Sequence, residues 1–171
     1  TPFSGNATPQ EGAEMLESYF THAVEAIFSA GGTLDKFIGD CVMAFFGAPV
    51  PQSDHARRAV QAAIQIQEAQ EALNRERAAR GLPTLLVRIA IQSGPVMVGD
   101  VGSRKRVDYT VLGNTVNVAA RLESGVAEAG EITLGGETHR LLAGAFPTEP
   151  LGEFQLKGLQ QKVHAFRVLR V

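Results

Sequence analysis

A chain of 171 residues with 16 lysines and arginines against 18 aspartates and glutamates is close to neutral, so it offers no basic face for nucleic acid. Its apolar runs are strand length, too short for a membrane-spanning helix, and its opening residues lack a secretion-signal pattern. The length suits one domain, residues 1–171, with a sizeable core; the lone Cys41 reads as a small core residue and fits a reducing, cytoplasmic compartment.

In chain order, Thr8-Pro9-Gln10-Glu11 is a capping box with proline at the first helical position. The helix it opens carries Leu16, Phe20, Val24, Ile27 and Phe28 as a core stripe and stops at Gly31-Gly32. Leu34 to Ala44, LDKFIGDCVMA, places β-forming runs on either side of Gly39-Asp40, which predicts a tight hairpin with an outgoing strand ending near Gly47-Ala48-Pro49. Ser53-Asp54 caps a helix to about Arg80, with Ala59, Ala63, Ile66, Ala69 and Leu73 inward and a solvated face of Gln, Arg and Glu. A strand from Leu85 to Gln92, a turn at Ser93-Gly94-Pro95 and a strand through Val98 follow, then a polar loop from Gly99 to Lys105. Val107 to Leu112 is a strand, and Gly113-Asn114 opens a helix bearing Asn117 and Arg121. A strand from Glu131 to Leu134, a helix from Glu137 to Leu142, and a closing hairpin of Phe154–Lys157 and Val163–Val171 around Gly158 complete the chain. Helices and strands mixed without strict alternation predict an α+β sandwich.

Two segments carry chemistry. Asp40 at a rigid hairpin tip is a hard oxygen donor suited to Mg²⁺, and Lys36 on the incoming strand can donate to a base edge or a phosphate. The plain alternative is a solvated turn aspartate and a surface lysine. Asn117 and Arg121, four apart, share one helix face and suit a sugar and a phosphate; a solvated face is again the alternative. His22, His55, His139 and His164 have no zinc spacing, and no nucleophilic triad or Walker loop is present.

The pieces GGTLDKFIGDCVMAFFGAP, VRIAIQSGPVMVGDVGS, KRVDYTVLGNTVNVAARLES and LGEFQLKG, in that order and spacing, resemble the catalytic domains of class III nucleotidyl cyclases over nearly the whole chain. The resemblance implies a ferredoxin-like core and conversion of ATP to 3′,5′-cyclic AMP and pyrophosphate. In that family two carboxylates hold two Mg²⁺ or Mn²⁺ ions, which polarise the α-phosphate and help deprotonate the ribose 3′-hydroxyl. Asp40 matches the second carboxylate. The first sits in a strand reading roughly F-x-D-x-x-G-F-T, whose last threonine Thr1 resembles, so it is expected upstream, and the chain alone is expected to bind metal poorly. Lys36 matches the adenine-reading position, where guanylate cyclases carry glutamate. Thr110, with Val111 beside it, matches the second base-reading position and is similar to the class IIIb subgroup, which suggests bicarbonate as an activator. Asn117 matches the ribose-orienting residue, Arg121 the phosphate-stabilising one, and Lys157 a lysine reaching the triphosphate. Pro95 stands where some members carry a further phosphate arginine. The family builds each site from two chains, which implies a head-to-tail homodimer, with sensor or membrane domains elsewhere in the full-length protein. A guanylate cyclase and a non-catalytic dimerising or regulatory module remain the alternatives.

Overall fold

A computed structural model describes residues 7–170. The assignment made for Thr1 and the end of the last strand at Val171 lie outside the described residues. The elements run α1 (Pro9–Ser29), β1 (Thr33–Ile38), β2 (Cys41–Phe45), α2 (His55–Ala79), β3 (Ile89–Ile91), β4 (Met97–Ser103), β5 (Arg106–Leu112), α3 (Asn114–Gly125), β6 (Ile132–Gly135), α4 (Gly136–Leu142), β7 (Thr148–Phe154) and β8 (Val163–Val168). The mixed α+β class read from the sequence is the class observed.

A four-stranded sheet in the order β3-β6-β8-β7 forms the platform. β3 runs parallel to β6, and the other neighbours are antiparallel. One face is covered by α2 and α4 through Ala56, Val60, Ala63 and Leu142 on Ile132, Leu134 and Val168. The other is covered by α3, whose Val118 and Leu122 meet Ala165 and Leu156. Alternation along β3 and β8 therefore feeds two cores at once, as expected of a sheet buried on both sides. A third cluster joins α1 to α2 and to the stretch before β3, through Met15, Tyr19, Ala23, Ile66, Leu85 and Val87. Two hairpins, β1-β2 and β4-β5, form separate two-stranded sheets. Among the described residues no helix is long and apolar enough to cross a membrane.

The capping box forms as read: Thr8 Oγ1 accepts from the Glu11 N–H at 3.2 Å and Glu11 Oε2 accepts from the Thr8 N–H at 2.8 Å. The buried face of α1, however, is Met15, Tyr19, Ala23, Ala26 and Ile27. Phe28, expected in the core, is 59% exposed, because the alanines let α1 approach α2 and turn the larger residues to the flanks. On α2 the buried face includes Gln67 and Gln70, residues assigned to the solvated side. Gln67 Nε2 donates to the Val87 carbonyl at 2.8 Å and to the Glu131 carbonyl at 3.3 Å, bridging the two segments where Gly130 N–H already bonds Val87. Asp54 precedes α2 without capping it through its side chain; its Oδ1 accepts from Arg58 Nε at 2.8 Å instead.

Other boundaries shift. The strand expected over Leu85–Gln92 shrinks to Ile89–Ile91. The polar loop expected at Gly99–Lys105 is mostly strand, since β4 pairs residue for residue with β5 from Met97↔Leu112 to Ser103↔Arg106. In the closing hairpin the first strand lies earlier, at Thr148–Phe154, which leaves Lys157 in the connecting loop. Truncating Leu134, fully buried in β6, to alanine should cost about 2–5 kcal/mol, read as a large fall in the thermal midpoint. Phe28→Ala should move stability by no more than about 0.5 kcal/mol.

Candidate functional site

The β1-β2 hairpin turns at Gly39-Asp40, and the Ile38↔Cys41 pair closes it. Gly39 has φ +61° while Asp40 keeps a negative φ, the pattern of a type II′ turn with glycine first. Asp40 is half-buried at the tip. Farther back the register slips between Leu34↔Ala44 and Lys36↔Met43. Asp35 is the extra residue of this bulge, and a bulge re-aims a side chain that alternation would have sent elsewhere. The Asp35 side chain is 1% exposed and the Lys36 side chain 44%, with Lys36 Nζ 3.4 Å from Asp35 Oδ1.

The second hairpin meets the first here. Thr110, opposite Gly99 in the β4-β5 ladder, donates its hydroxyl to Asp35 Oδ2 at 2.7 Å. Phe45 of β2 and Tyr109 of β5 lie 5.9 Å apart between ring centroids. Phe20 of α1 supports the hairpin from the other side, 4.6 Å from Phe37. Val111 is buried, 4% exposed as a whole residue.

α3 starts at Gly113 and is held by Thr115, whose Oγ1 donates to the Pro95 carbonyl at 2.8 Å. A Cβ on Gly94 would stand 2.5 Å from that oxygen, so glycine is what admits the anchor. Val118 and Leu122 face the core, which turns Asn117 and Arg121 outward together, both exposed. Lys157 is exposed in the β7-β8 loop.

The fold thus joins Lys36 to Thr110 through Asp35, and Asn117 to Arg121 on one helix face. No hydrogen bond or ion pair links Lys36 to Asn117, Arg121 or Lys157 among the described residues. Among the described residues no cluster of three or more His, Cys, Asp or Glu could hold a metal. Asp35 is the site residue that sequence reasoning passed over. Its one signal was an acid beside an amine in a strand whose partner residues are apolar.

Cys41, read as a core residue, is exposed next to the tip. Partial burial, then the negative charges of Glu123 and Asp40, push its thiol above the usual range. Tyr19 is pushed up as well, first by burial and then by Cys41, Asp40 and Glu123. Glu123 is paired with Arg88.

Residues 1–169 match the family model described as the adenylate and guanylate cyclase catalytic domain. The chain is 35% identical over 172 aligned positions to adenylate cyclase 1 of Rhizobium meliloti, covering all of this chain and 26% of that protein. It spans about a quarter of the length of the curated relatives it matches. Among solved structures it is similar to the adenylyl cyclase CyaB of P. aeruginosa, with TM-score 0.88 and 31% identity over 99% of this chain and 90% of that one. It is also similar to the guanylyl cyclase Cya2, with TM-score 0.85 and 33% identity over 95% of this chain and 82% of that one.

The environment of Cys41 has a measurable consequence. Partial burial first, and then the nearby negative charges, disfavour the thiolate, so alkylation by iodoacetamide at pH 8 should run slower than for an unperturbed thiol. Glu123→Gln removes one such charge and should lower the midpoint of the rate–pH profile; an unmoved midpoint contradicts the electrostatic account.

Proposed function

The chain belongs to the adenylate and guanylate cyclase catalytic domain family, and within it we propose an adenylate cyclase that makes cyclic AMP and pyrophosphate from ATP. The observation that carries this reading is Lys36 beside Thr110. Adenine presents a ring-nitrogen acceptor beside an amino donor. An ammonium suits the first, and a hydroxyl oxygen suits the second. Guanine presents an N–H donor at that ring position, which an ammonium cannot satisfy.

In this reading Asn117 orients the ribose. Arg121, which has no ion-pair partner among the described residues, stabilises charge building on the phosphates as a planar fork can. Lys157 meets the triphosphate from its loop. Asp40 fits a divalent metal: Mg²⁺ is typically held by one or two carboxylates plus substrate phosphates, and a carboxylate at a rigid tip is such a donor. Asp40 would supply one of the two carboxylates that the family resemblance implies for two Mg²⁺ or Mn²⁺ ions, which when bound would polarise the α-phosphate and acidify the ribose 3′-hydroxyl.

Lys36 and Asp40 share one hairpin, while Asn117 and Arg121 face solvent on a different element. A head-to-tail homodimer completes each site, with the acid from one chain and the base reader, amide and guanidinium from the other. Exposed apolar side chains on one face of the β4-β5 arm support this, with Met97 72%, Leu112 47% and Val101 41% exposed; such a patch marks an association surface.

Product identification with ATP and with GTP, in Mg²⁺ and in Mn²⁺, tests the reading. Cyclic AMP as the main product supports it, cyclic GMP makes the chain a guanylate cyclase, and nucleotide binding without turnover under all conditions favours a regulatory module. Arg121→Ala should leave the thermal midpoint unchanged and lower kcat by about 10²–10³, as loss of one charge-stabilising donor does elsewhere. Lys36→Ala and Asp40→Ala should each be inactive alone, yet a one-to-one mixture should recover about a quarter of wild-type activity, because half the dimers are mixed and each has one intact site. A mixture as inactive as its parents rules out shared sites.

A further inference from the structure

Thr110 alone is an ambiguous reader, since a hydroxyl both donates and accepts and would satisfy the amino group of adenine or the carbonyl of guanine. The surroundings remove that ambiguity. A carboxylate only accepts, so at 2.7 Å from Asp35 Oδ2 the Thr110 hydroxyl must spend its proton on Asp35. What remains on the Thr110 oxygen is lone pairs. Asp35 Oδ1 has no hydrogen-bond donor and stands 3.4 Å from the Lys36 ammonium, close enough to hold that side chain on the same side of the strand.

We infer that Asp35 is a positioning residue that determines base specificity: it takes the Thr110 proton, making that oxygen an acceptor only, and restrains Lys36 as the adjacent donor. The pair then presents one acceptor and one donor, the complement of adenine and a mismatch for guanine. The bulge at Asp35 is the backbone device that brings the carboxylate beneath both groups. This inference rests on the adenylate cyclase reading and adds to it a residue that would not itself touch the nucleotide.

The test is a double-mutant cycle read as the ATP-to-GTP ratio of kcat/KM, with displacement of a fluorescent nucleotide analogue by ATP and by GTP giving the same ratio without turnover. Asp35→Asn keeps the shape but lets an amide N–H₂ donate to Thr110, freeing its hydroxyl to donate outward. The ratio should fall about tenfold or more, chiefly through KM, since a polarity mismatch at a buried hydrogen bond discriminates at least that strongly. In a Thr110→Val background the same substitution should move the ratio much less, because only the restraint on Lys36 is then lost. A structural role alone would lower the thermal midpoint and both activities together, with the ratio intact, and that result overturns the inference. So does an equal change in the Thr110→Val background. Preference of the unsubstituted chain for GTP instead overturns the adenylate reading, and the two failures are therefore told apart.

Discussion

A carboxylate shut away from water at the junction of two hairpins is the constraint around which the base-reading end of this domain is arranged. Removing a carboxylate from water costs several kcal/mol even after relaxation, while a hydrogen bond to a charged group returns only about 1.5–3 kcal/mol. Asp35 receives one such bond from Thr110 and an ammonium at 3.4 Å whose side chain is 44% exposed, so solvent screens much of that attraction. Apolar side chains of similar size in place of both Asp35 and Thr110 would fold about as well. The acid is better explained by what it does to Thr110 and Lys36 than by what it adds to stability.

The rest of the fold holds that junction still. Hairpins of two strands are marginal on their own, and β1-β2 and β4-β5 lie outside the four-stranded sheet. They are fixed by aromatic contacts, Phe37 on Phe20 of α1 and Phe45 on Tyr109, and by the polar link between Asp35 and Thr110. α3 is secured differently, by Val118 and Leu122 in a core built with β8 and by Thr115 on the Pro95 carbonyl. Packing one helix face leaves the opposite face no choice but to present Asn117 and Arg121 outward.

Local chemistry was legible where a residue's role is decided by its neighbours in sequence. The Thr8 capping box, the Gly39-Asp40 turn and the four-residue spacing of Asn117 and Arg121 all came through. Long-range pairing was not legible. Gly99 to Lys105, rich in glycine and charge, reads as loop until β5 supplies a ladder for it. The buried face of α1 was misplaced because small alanines, weak in any hydrophobic pattern, are what permit close helix approach. Gln67 looks solvated until the fold brings the Val87 and Glu131 carbonyls to its amide. Asp35 was invisible for a related reason: strand alternation sends it away from Lys36, and only the bulge, a feature of strand pairing, turns both toward Thr110.

Lys36 and Asp40 are separated by about 10 Å along the hairpin, at some 3.3 Å per strand residue, with the turn between them. In the proposed dimer one chain's base reader and its metal acid serve different sites, so neither chain is complete alone. The exposed Met97, Val101 and Leu112 then have a physical use, since burying them on association contributes about 25 cal/mol per Å² of apolar surface. A net charge of −2 adds little repulsion between copies. Assembly and activity are coupled in this arrangement, because the contact that buries the arms is the one that brings Arg121 to the other subunit's Asp40.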